Sequence, residues 1–208
     1  MRLGKHIAVI GAGVVGLAVA LRLRREGFRV TLIEPDEPGG HTSAGNAGII
    51  MTAQTTPLSQ PGIWLKVPGM LADPTGPLAV RWNRLPGLLP WFLRFLGNSR
   101  RSRFEAVAGA LAPMVTRSLD AWLALLSASE GARLIRQDGV LYVYKDRRNF
   151  SAARKEAAFR ERFGIPSEII AAEELRQMEP ALGDGLAGGV LYPTAAHCVD
   201  PLALSASL

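Results

Sequence analysis

The sequence predicts an α/β protein, α+β overall, in which a parallel βαβ unit is followed by helices and antiparallel strands. Two apolar runs, 7–10 and 29–33, flank a helical stretch at 14–26, in the order strand, helix, strand. Apolar residues three to four positions apart then recur over 104–129. Short runs of strand type follow as far as residue 193, so the chain departs from simple βαβ winding.

The turn between the first strand and the helix carries the most specific motif. Gly11, Gly13 and Gly16 form a G-x-G-x-x-G pattern, and Glu34 ends the second strand at the spacing of about 20 residues that such units show. In a Rossmann-like unit these glycines permit a tight turn, close approach of a pyrophosphate and close helix packing. The helix N-terminus attracts phosphate, and the carboxylate accepts hydrogen bonds from ribose hydroxyls. The motif predicts a dinucleotide site without a 2′-phosphate.

Two other interpretations of this region are weaker. A signal peptide also begins with basic residues and an apolar stretch, but no small-residue cleavage site follows, and an arginine-bearing helix continues after Leu21. A βαβ unit that uses its glycines only for packing would leave Glu34 with no reason to end an apolar strand. We therefore expect the N-terminus to belong to a folded cytoplasmic domain.

Composition restricts the classes of function. A chain of 208 residues with 48% apolar content predicts a globular protein. The net charge of +6 is compatible with nucleic acid, an anionic membrane or an acidic substrate, but no nucleic-acid-binding motif accompanies the arginine clusters, so we expect no nucleic-acid partner. Cys198, the single cysteine, excludes an intramolecular disulfide and is typical of a reducing compartment. We interpret it as a partly buried small side chain, and we expect no metal site.

The middle of the chain is predicted from breakers and periodicity. Residues 35–48 read as a long polar loop, and residues 55–90 as irregular structure with short helical pieces such as 91–96 next to it. A helix is expected over 104–129, kinked or split by Pro113.

The last third is predicted to contain a small antiparallel sheet. Asp138-Gly139 between the runs 134–137 and 140–144 is a strong signal for a two-residue hairpin. The remaining predicted elements are a helix capped by Ser151 and ending near Phe163, a strand at 168–171, a helix at 172–178, a strand at 189–193, and a helix begun by Asp200 and Pro201.

Three stretches together resemble a known family. They are residues 7–20 with Glu34, the loop Thr-Ser-Ala-Gly-Asn-Ala-Gly at 42–48, and residues 178–182 leading through 189–193 to Asp200-Pro201. With these stretches the chain resembles the FAD-dependent D-amino-acid oxidase and glycine oxidase superfamily, most closely the small-subunit type of bacterial D-amino-acid dehydrogenase. The resemblance extends over essentially the whole chain.

The resemblance implies that FAD is the cofactor. The first stretch would hold the ADP half of FAD, and the loop at 42–48 would carry the pyrophosphate and reach toward the flavin. A polar loop without a ligand is the alternative for that second stretch. The implied cofactor-binding residues are Gly11, Ala12, Gly13, Val14, Val15, Gly16, Glu34, Thr42, Ser43, Asn46, Ala47 and Gly48.

The resemblance also implies a reaction, in which the α-carbon amine of an amino acid, expected to be a D-amino acid, is oxidised to an imino acid. Water then converts the imino acid to a 2-oxo acid and ammonia. Members of the family are about twice as long, and their carboxylate-binding arginine lies in the later half. We therefore assign no catalytic residue, and expect this chain to be a fragment without turnover of its own. Tyr142, Tyr144 and Tyr192 are expected to pack within strands.

The implied organisation has three segments: an FAD-binding segment at 1–54, a substrate-domain segment at 55–193, and a return toward the FAD domain at 194–208. The expected partners are an amino-acid substrate and a membrane quinone as electron acceptor. Aromatic and basic residues alternate between Pro77 and Phe104. This segment is expected either to contact the inner face of the membrane peripherally or to form core of the substrate domain. The functional alternatives are a sarcosine or glycine oxidase and a non-catalytic dinucleotide-binding module.

Overall fold

The computed structural model describes residues 4–72, 82–127 and 129–208. The strands are β1 His6–Ile10, β2 Arg29–Ile33, β3 Ile49–Ile50, β4 Ile135–Arg136, β5 Val140–Tyr144, β6 Glu168–Ala171, β7 Gly188–Tyr192 and β8 Ala196–Cys198. The α-helices are α1 Val14–Arg25, α2 Ile63–Ala72, α3 Leu85–Asn98, α4 Arg101–Val115, α5 Ser118–Leu126, α6 Arg147–Glu161, α7 Ala172–Met178 and α8 Pro201–Ala206. Short 3-10 helices lie at Trp82–Arg84, Glu130–Leu134 and Pro180–Leu182.

The N-terminal βαβ unit forms as predicted. Strands β1 and β2 run parallel, with His6 beside Arg29 and Ile10 beside Ile33. Helix α1 ends at Arg25, and Gly27 follows with a φ of +87°, a conformation that favours glycine. Residues 35–48 form a loop of turns, as predicted. The mixed α/β fold class is therefore confirmed.

Two three-stranded antiparallel arrangements make up the remaining sheet structure among the described residues. Their strand orders are β3-β8-β4 and β5-β7-β6. The predicted hairpin between 134–137 and 140–144 is wrong, because β4 pairs with β8 and β5 pairs with β7. Gly139 does adopt a turn conformation, with a φ of +81°, but the chain passes there from one sheet to the other. Ile135 is buried with Leu126 and Cys198, whereas Val140 packs on a different cluster that contains Tyr192.

The helices differ from the predictions at several ends. Helix α6 begins at Arg147 and is capped by Asp146, whose carboxylate accepts a hydrogen bond from the Asn149 N–H at 2.7 Å, so the predicted cap at Ser151 is wrong. The helix predicted over 104–129 is split as expected, but the break falls at 116–117, after Pro113. Strand β6 and helix α7 have the predicted bounds, and Asp200 caps α8 as predicted.

Residues 55–90 are more helical than predicted. Helices α2 and α3 occupy 63–72 and 85–98, and the predicted helical piece 91–96 lies inside α3. Pro86 occupies the first turn of α3, where its missing N–H removes no helical bond. The part of the prediction that falls on 73–81 lies outside the described residues.

The chain divides into two compact units. One contains the chain up to residue 53 and from 116 onward, and the other contains residues 54–115. The first unit holds two apolar clusters, one around Val190 and Ile165 and the other around Leu126 and Leu204. Within the described residues, no helix is both long and apolar enough to cross a membrane.

Candidate functional site

The glycine-rich turn connects β1 to α1 and is hydrogen-bonded to the end of β2. Gly11 has a φ of +96°, and its N–H donates to the carbonyl of Ile33 at 2.8 Å. A side chain at Gly16 would overlap the carbonyl oxygen of Gly11, so α1 approaches the turn as closely as glycine permits. The first and third glycines of the motif therefore have the structural roles predicted for them.

The loop 35–48 is fastened onto this turn by hydrogen bonds. The Ser43 hydroxyl accepts from the Val14 N–H at 2.9 Å, and the Glu34 carboxylate accepts from the Ala12 N–H at 2.7 Å. The Gly39 N–H donates to the Ala12 carbonyl at 2.8 Å. Gly13, the N-cap residue of α1, makes no side-chain cap, so Ser43 supplies that acceptor from 29 positions along the chain.

Asn46 shapes the same loop with both ends of its amide. Its Nδ2 donates to the Ser43 carbonyl at 2.7 Å, and its Oδ1 accepts from the Gly48 N–H at 2.6 Å. Gly48 has a φ of +67° and its carbonyl accepts from the Cys198 N–H at 2.7 Å, while a side chain at Gly48 would overlap the Cys198 carbonyl. Asn46 thus fixes how the loop enters β3.

Two cavities border this assembly. One, of about 220 Å³, is lined by Gly13, Glu34, Glu37, Gly39, His41, Thr42 and Ser43. The other, of about 370 Å³, is lined by Val14, Asn46, Ala47, Gly48, Ile49, Ile50, Trp122, Cys198, Pro201 and Leu204. Gly13 and Val14 are consecutive residues, so the two cavities meet the chain at the N-terminus of α1.

The structure brings eight of the twelve predicted site residues to the walls of these cavities. Gly11 and Gly16 line neither cavity, and Ala12 is fully buried with its N–H bound to Glu34. The side chain of Val15 is 73% exposed and lines neither cavity.

Sequence reasoning missed other wall residues. His41 lies in the predicted loop, where its Nε2 is 2.9 Å from Asp36 Oδ2, but no spacing rule marks it. Trp122 and Leu204 reach the larger cavity from α5 and α8, and only long-range folding brings them there. Cys198 is buried as interpreted from the sequence, and this burial raises the pKa of its thiol.

The three tyrosines named from the sequence lie away from these walls. Tyr192 is buried in the sheet β5-β7-β6, its hydroxyl accepts from Arg160 on α6, and burial raises its pKa. Arg160 also lies 2.8 Å from the Glu156 carboxylate. Tyr142 and Tyr192 stack edge to face at 6.0 Å. These contacts agree with the expected packing role.

A glycine turn, an acid at the end of the second strand and a loop folded over the helix N-terminus define a dinucleotide-binding protein of the α/β type. The family model described as FAD dependent oxidoreductase, DAO, matches residues 6–208. The chain therefore belongs to the DAO family of FAD-dependent oxidoreductases, whose cofactor is FAD as predicted.

Two curated relatives match nearly all of this chain. It is 41% identical to a D-amino-acid oxidase of Bradyrhizobium diazoefficiens over 99% of this chain and 49% of the relative. It is 34% identical to D-amino acid dehydrogenase 2 of Ralstonia nicotianae over 90% of this chain and 45% of the relative. Glycine oxidase from Bacillus cereus shares the fold, with a TM-score of 0.57 and 19% identity over 98% of this chain and 42% of that structure. The chain spans about half the length of the curated relatives it matches.

Proposed function

We propose that the natural polypeptide containing this chain binds FAD against the N-terminus of α1 and oxidises the α-carbon amine of D-amino acids. The observation that carries this proposal is the pair of hydrogen bonds to the glycine turn made by Glu34, which directly precedes the loop 35–48, and by Ser43 within that loop. The relatives named D-amino-acid oxidase and D-amino acid dehydrogenase 2 support the substrate class. Their similarity covers nearly all of this chain.

The residues of the turn fit the pyrophosphate of FAD. A Cβ at Gly13 would lie 3.3 Å from the Ser43 hydroxyl, so the absence of a side chain keeps a cradle open between backbone and loop. The first turn of α1 has no acidic side chain to neutralise the positive end of the helix dipole. Backbone N–H groups at such an end attract phosphate.

The polar side chains divide between the two halves of the cofactor. The Glu34 carboxylate uses one oxygen on the Ala12 N–H, which leaves the other for the adenosine ribose. The Ser43 hydroxyl accepts from the Val14 N–H, so its own proton is available to a phosphate oxygen beside Thr42. Ala47 and Gly48, on the wall of the larger cavity, would lie along the path toward the flavin.

FAD held by these residues would supply the hydride acceptor for oxidation at the substrate α-carbon, and water would then convert the imino acid to a 2-oxo acid and ammonia. The residues described here bind and orient the cofactor, and we assign no catalytic side chain. The three-part organisation stays part of the proposal, with the cofactor held by 1–54, a substrate segment at 55–193 and a return at 194–208.

The electron acceptor distinguishes two versions of the proposal. One relative is named an oxidase and the other a dehydrogenase. We propose a membrane quinone as the acceptor. Hydrogen peroxide formed in amounts equal to the 2-oxo acid would contradict this choice. Peroxide-free turnover with a quinone analogue would support it.

The substrate proposal is tested with the natural polypeptide loaded with FAD. We expect 2-oxo acid formation from D-alanine in the presence of an acceptor dye, and none from L-alanine. Faster turnover of sarcosine or glycine would replace the proposal with a glycine oxidase type activity. Stoichiometric FAD binding without oxidation of any of these amines would favour the non-catalytic module. The 208-residue chain alone is expected to show no steady dye reduction.

A further inference from the structure

The smaller cavity has acidic walls and, among the described residues that line it, a single basic side chain. Glu34 and Glu37 line it together with His41. Asp36, a third carboxylate, has its Oδ2 2.9 Å from the His41 Nε2. The side-chain polar atoms of Glu34, Asp36 and His41 lie within 4.8 Å of one another. His41 therefore lies among the carboxylates at this end of the site.

The helices that border this cavity bring no lysine or arginine to it. The first turn of α1 contains neither an acidic nor a basic side chain. Ser205 of α8 lies against Gly39 in the cavity wall, but α8 has no charged side chain, and its cap Asp200 is hydrogen-bonded to the backbone of that helix. Within these described elements, His41 is the side chain that can carry a positive charge.

This charge distribution matters for an anionic ligand. The pyrophosphate of FAD, placed at the N-terminus of α1, brings negative charge to a wall that already holds carboxylates. Like charges repel over several ångströms, more strongly beside protein than in bulk water. The helix dipole offsets part of that repulsion. Histidine is the side chain that ordinarily gains a positive charge between about pH 5 and pH 8, so a proton on His41 would offset more of it.

We propose that His41 is a further FAD-binding residue, whose protonated imidazole offsets the carboxylates beside the pyrophosphate, so that FAD binding takes up a proton. Asp36 positions the ring through its contact with Nε2. This inference rests on the proposed FAD site. Because FAD and the proton each strengthen binding of the other, the affinity for FAD rises as His41 gains its proton and falls as His41 loses it.

The test is an FAD titration of the natural polypeptide, stripped of cofactor, between about pH 5 and pH 8. We expect the affinity to fall on the order of tenfold from the acidic to the alkaline end. Calorimetry in two buffers of different ionisation enthalpy should show uptake of a fraction of a proton at intermediate pH. EDTA in every buffer keeps divalent cations off His41 and its acidic neighbours. Affinity independent of pH, without proton uptake, would overturn the proposal.

Two variants of His41 separate its charge from its shape. His41→Gln cannot be protonated, so it should bind FAD weakly at every pH and without proton uptake. His41→Lys stays charged over the whole range and should bind tightly at every pH. His6→Gln is the matched control, because His6 is an exposed histidine on β1 whose Nε2 lies 2.8 Å from the Thr31 hydroxyl, and it lines neither cavity. A wild-type pH profile in His41→Gln would contradict the assignment.

The outcomes distinguish this inference from the proposed function. FAD that binds without proton uptake leaves the FAD site standing and removes only the role of His41. No saturable FAD binding at any pH would end the proposed function and this inference with it. ADP, which lacks the flavin, should compete with FAD more strongly at acidic pH, and competition independent of pH would place the titrating group away from the pyrophosphate. The His41 side chain is 67% exposed, so thermal unfolding of the variants should match wild type.

Discussion

The turn-and-loop region at 4–53 and the helical unit at 54–115 meet their surroundings in opposite ways. Around the glycine turn, backbone N–H groups are met by Glu34 and Ser43, and the cavity between them is lined by polar groups. On α3, leucines and Trp91 are exposed between arginines. The first region uses a few placed groups, as a small anionic ligand requires. The second leaves apolar and basic side chains exposed without such a set of placed polar groups.

The largest difference between the two regions is expected when a helical glycine in each is replaced by alanine and the change in stability is compared. Gly16→Ala places a Cβ onto the Gly11 carbonyl, so we expect about 2–3 kcal/mol of destabilisation and FAD affinity lowered on the order of 100-fold. Gly97→Ala on α3 meets open space and should stabilise the helix by about 0.5–1 kcal/mol. Thermal unfolding and flavin titration check both, and a tolerated Gly16→Ala would refute the close packing.

Removing one charge from the turn should have the next largest effect. Glu34→Gln keeps an oxygen for the Ala12 N–H but loses the charged acceptor for ribose, so FAD binding should weaken about tenfold. Glu26→Gln is the control, because Glu26 is an exposed residue at the other end of α1 that pairs with Arg22. Flavin fluorescence titration measures both variants. Unchanged affinity in Glu34→Gln would show that this carboxylate only holds the turn.

Removing the hydrogen bond between the Ser43 hydroxyl and the Val14 N–H should have a smaller effect, confined to the start of α1. Ser43→Ala leaves the Val14 N–H without its acceptor, which should cost about 1 kcal/mol and speed hydrogen exchange at that amide. Ser43→Thr keeps the hydroxyl and should restore most of the protection. Exchange at Val14 that is the same in wild type and Ser43→Ala would contradict the bond.

A stability effect of similar size lies outside both regions and serves as a scale for them. Asp146→Ala removes the N-cap of α6 and should lower stability by about 1 kcal/mol, whereas Ser151→Ala, inside that helix, should change it little. Denaturant unfolding of the two variants compares them directly. A larger loss of stability in Ser151→Ala than in Asp146→Ala would indicate that Ser151 caps the helix.

Patterns among neighbouring residues were enough to predict the βαβ unit, but they did not predict how the strands of the two antiparallel sheets pair. The bounds of β2 and the glycine turn follow from periodicity and from backbone needs that neighbouring residues set. The pairing of β4 with β8 depends on Cys198 and His197, about 60 positions away, and a turn dipeptide carries no information about that choice. The places of Trp122 and Leu204 in the wall of the larger cavity were not predicted for the same reason, because long-range folding brings them there. The sequence predicts only residues 91–96 of α3 and does not single out α2, because the prolines of both helices resemble loop signals.

The central claim is that the glycine turn and its fastened loop hold FAD. Its most direct test is a parallel equilibrium titration of the natural polypeptide, stripped of cofactor, with FAD and with NAD, followed by flavin absorption and by calorimetry. We predict one saturable FAD site that binds far more tightly than NAD and is weakened by Glu34→Gln. Preference for NAD, or no binding of either nucleotide by the folded protein, would contradict the claim.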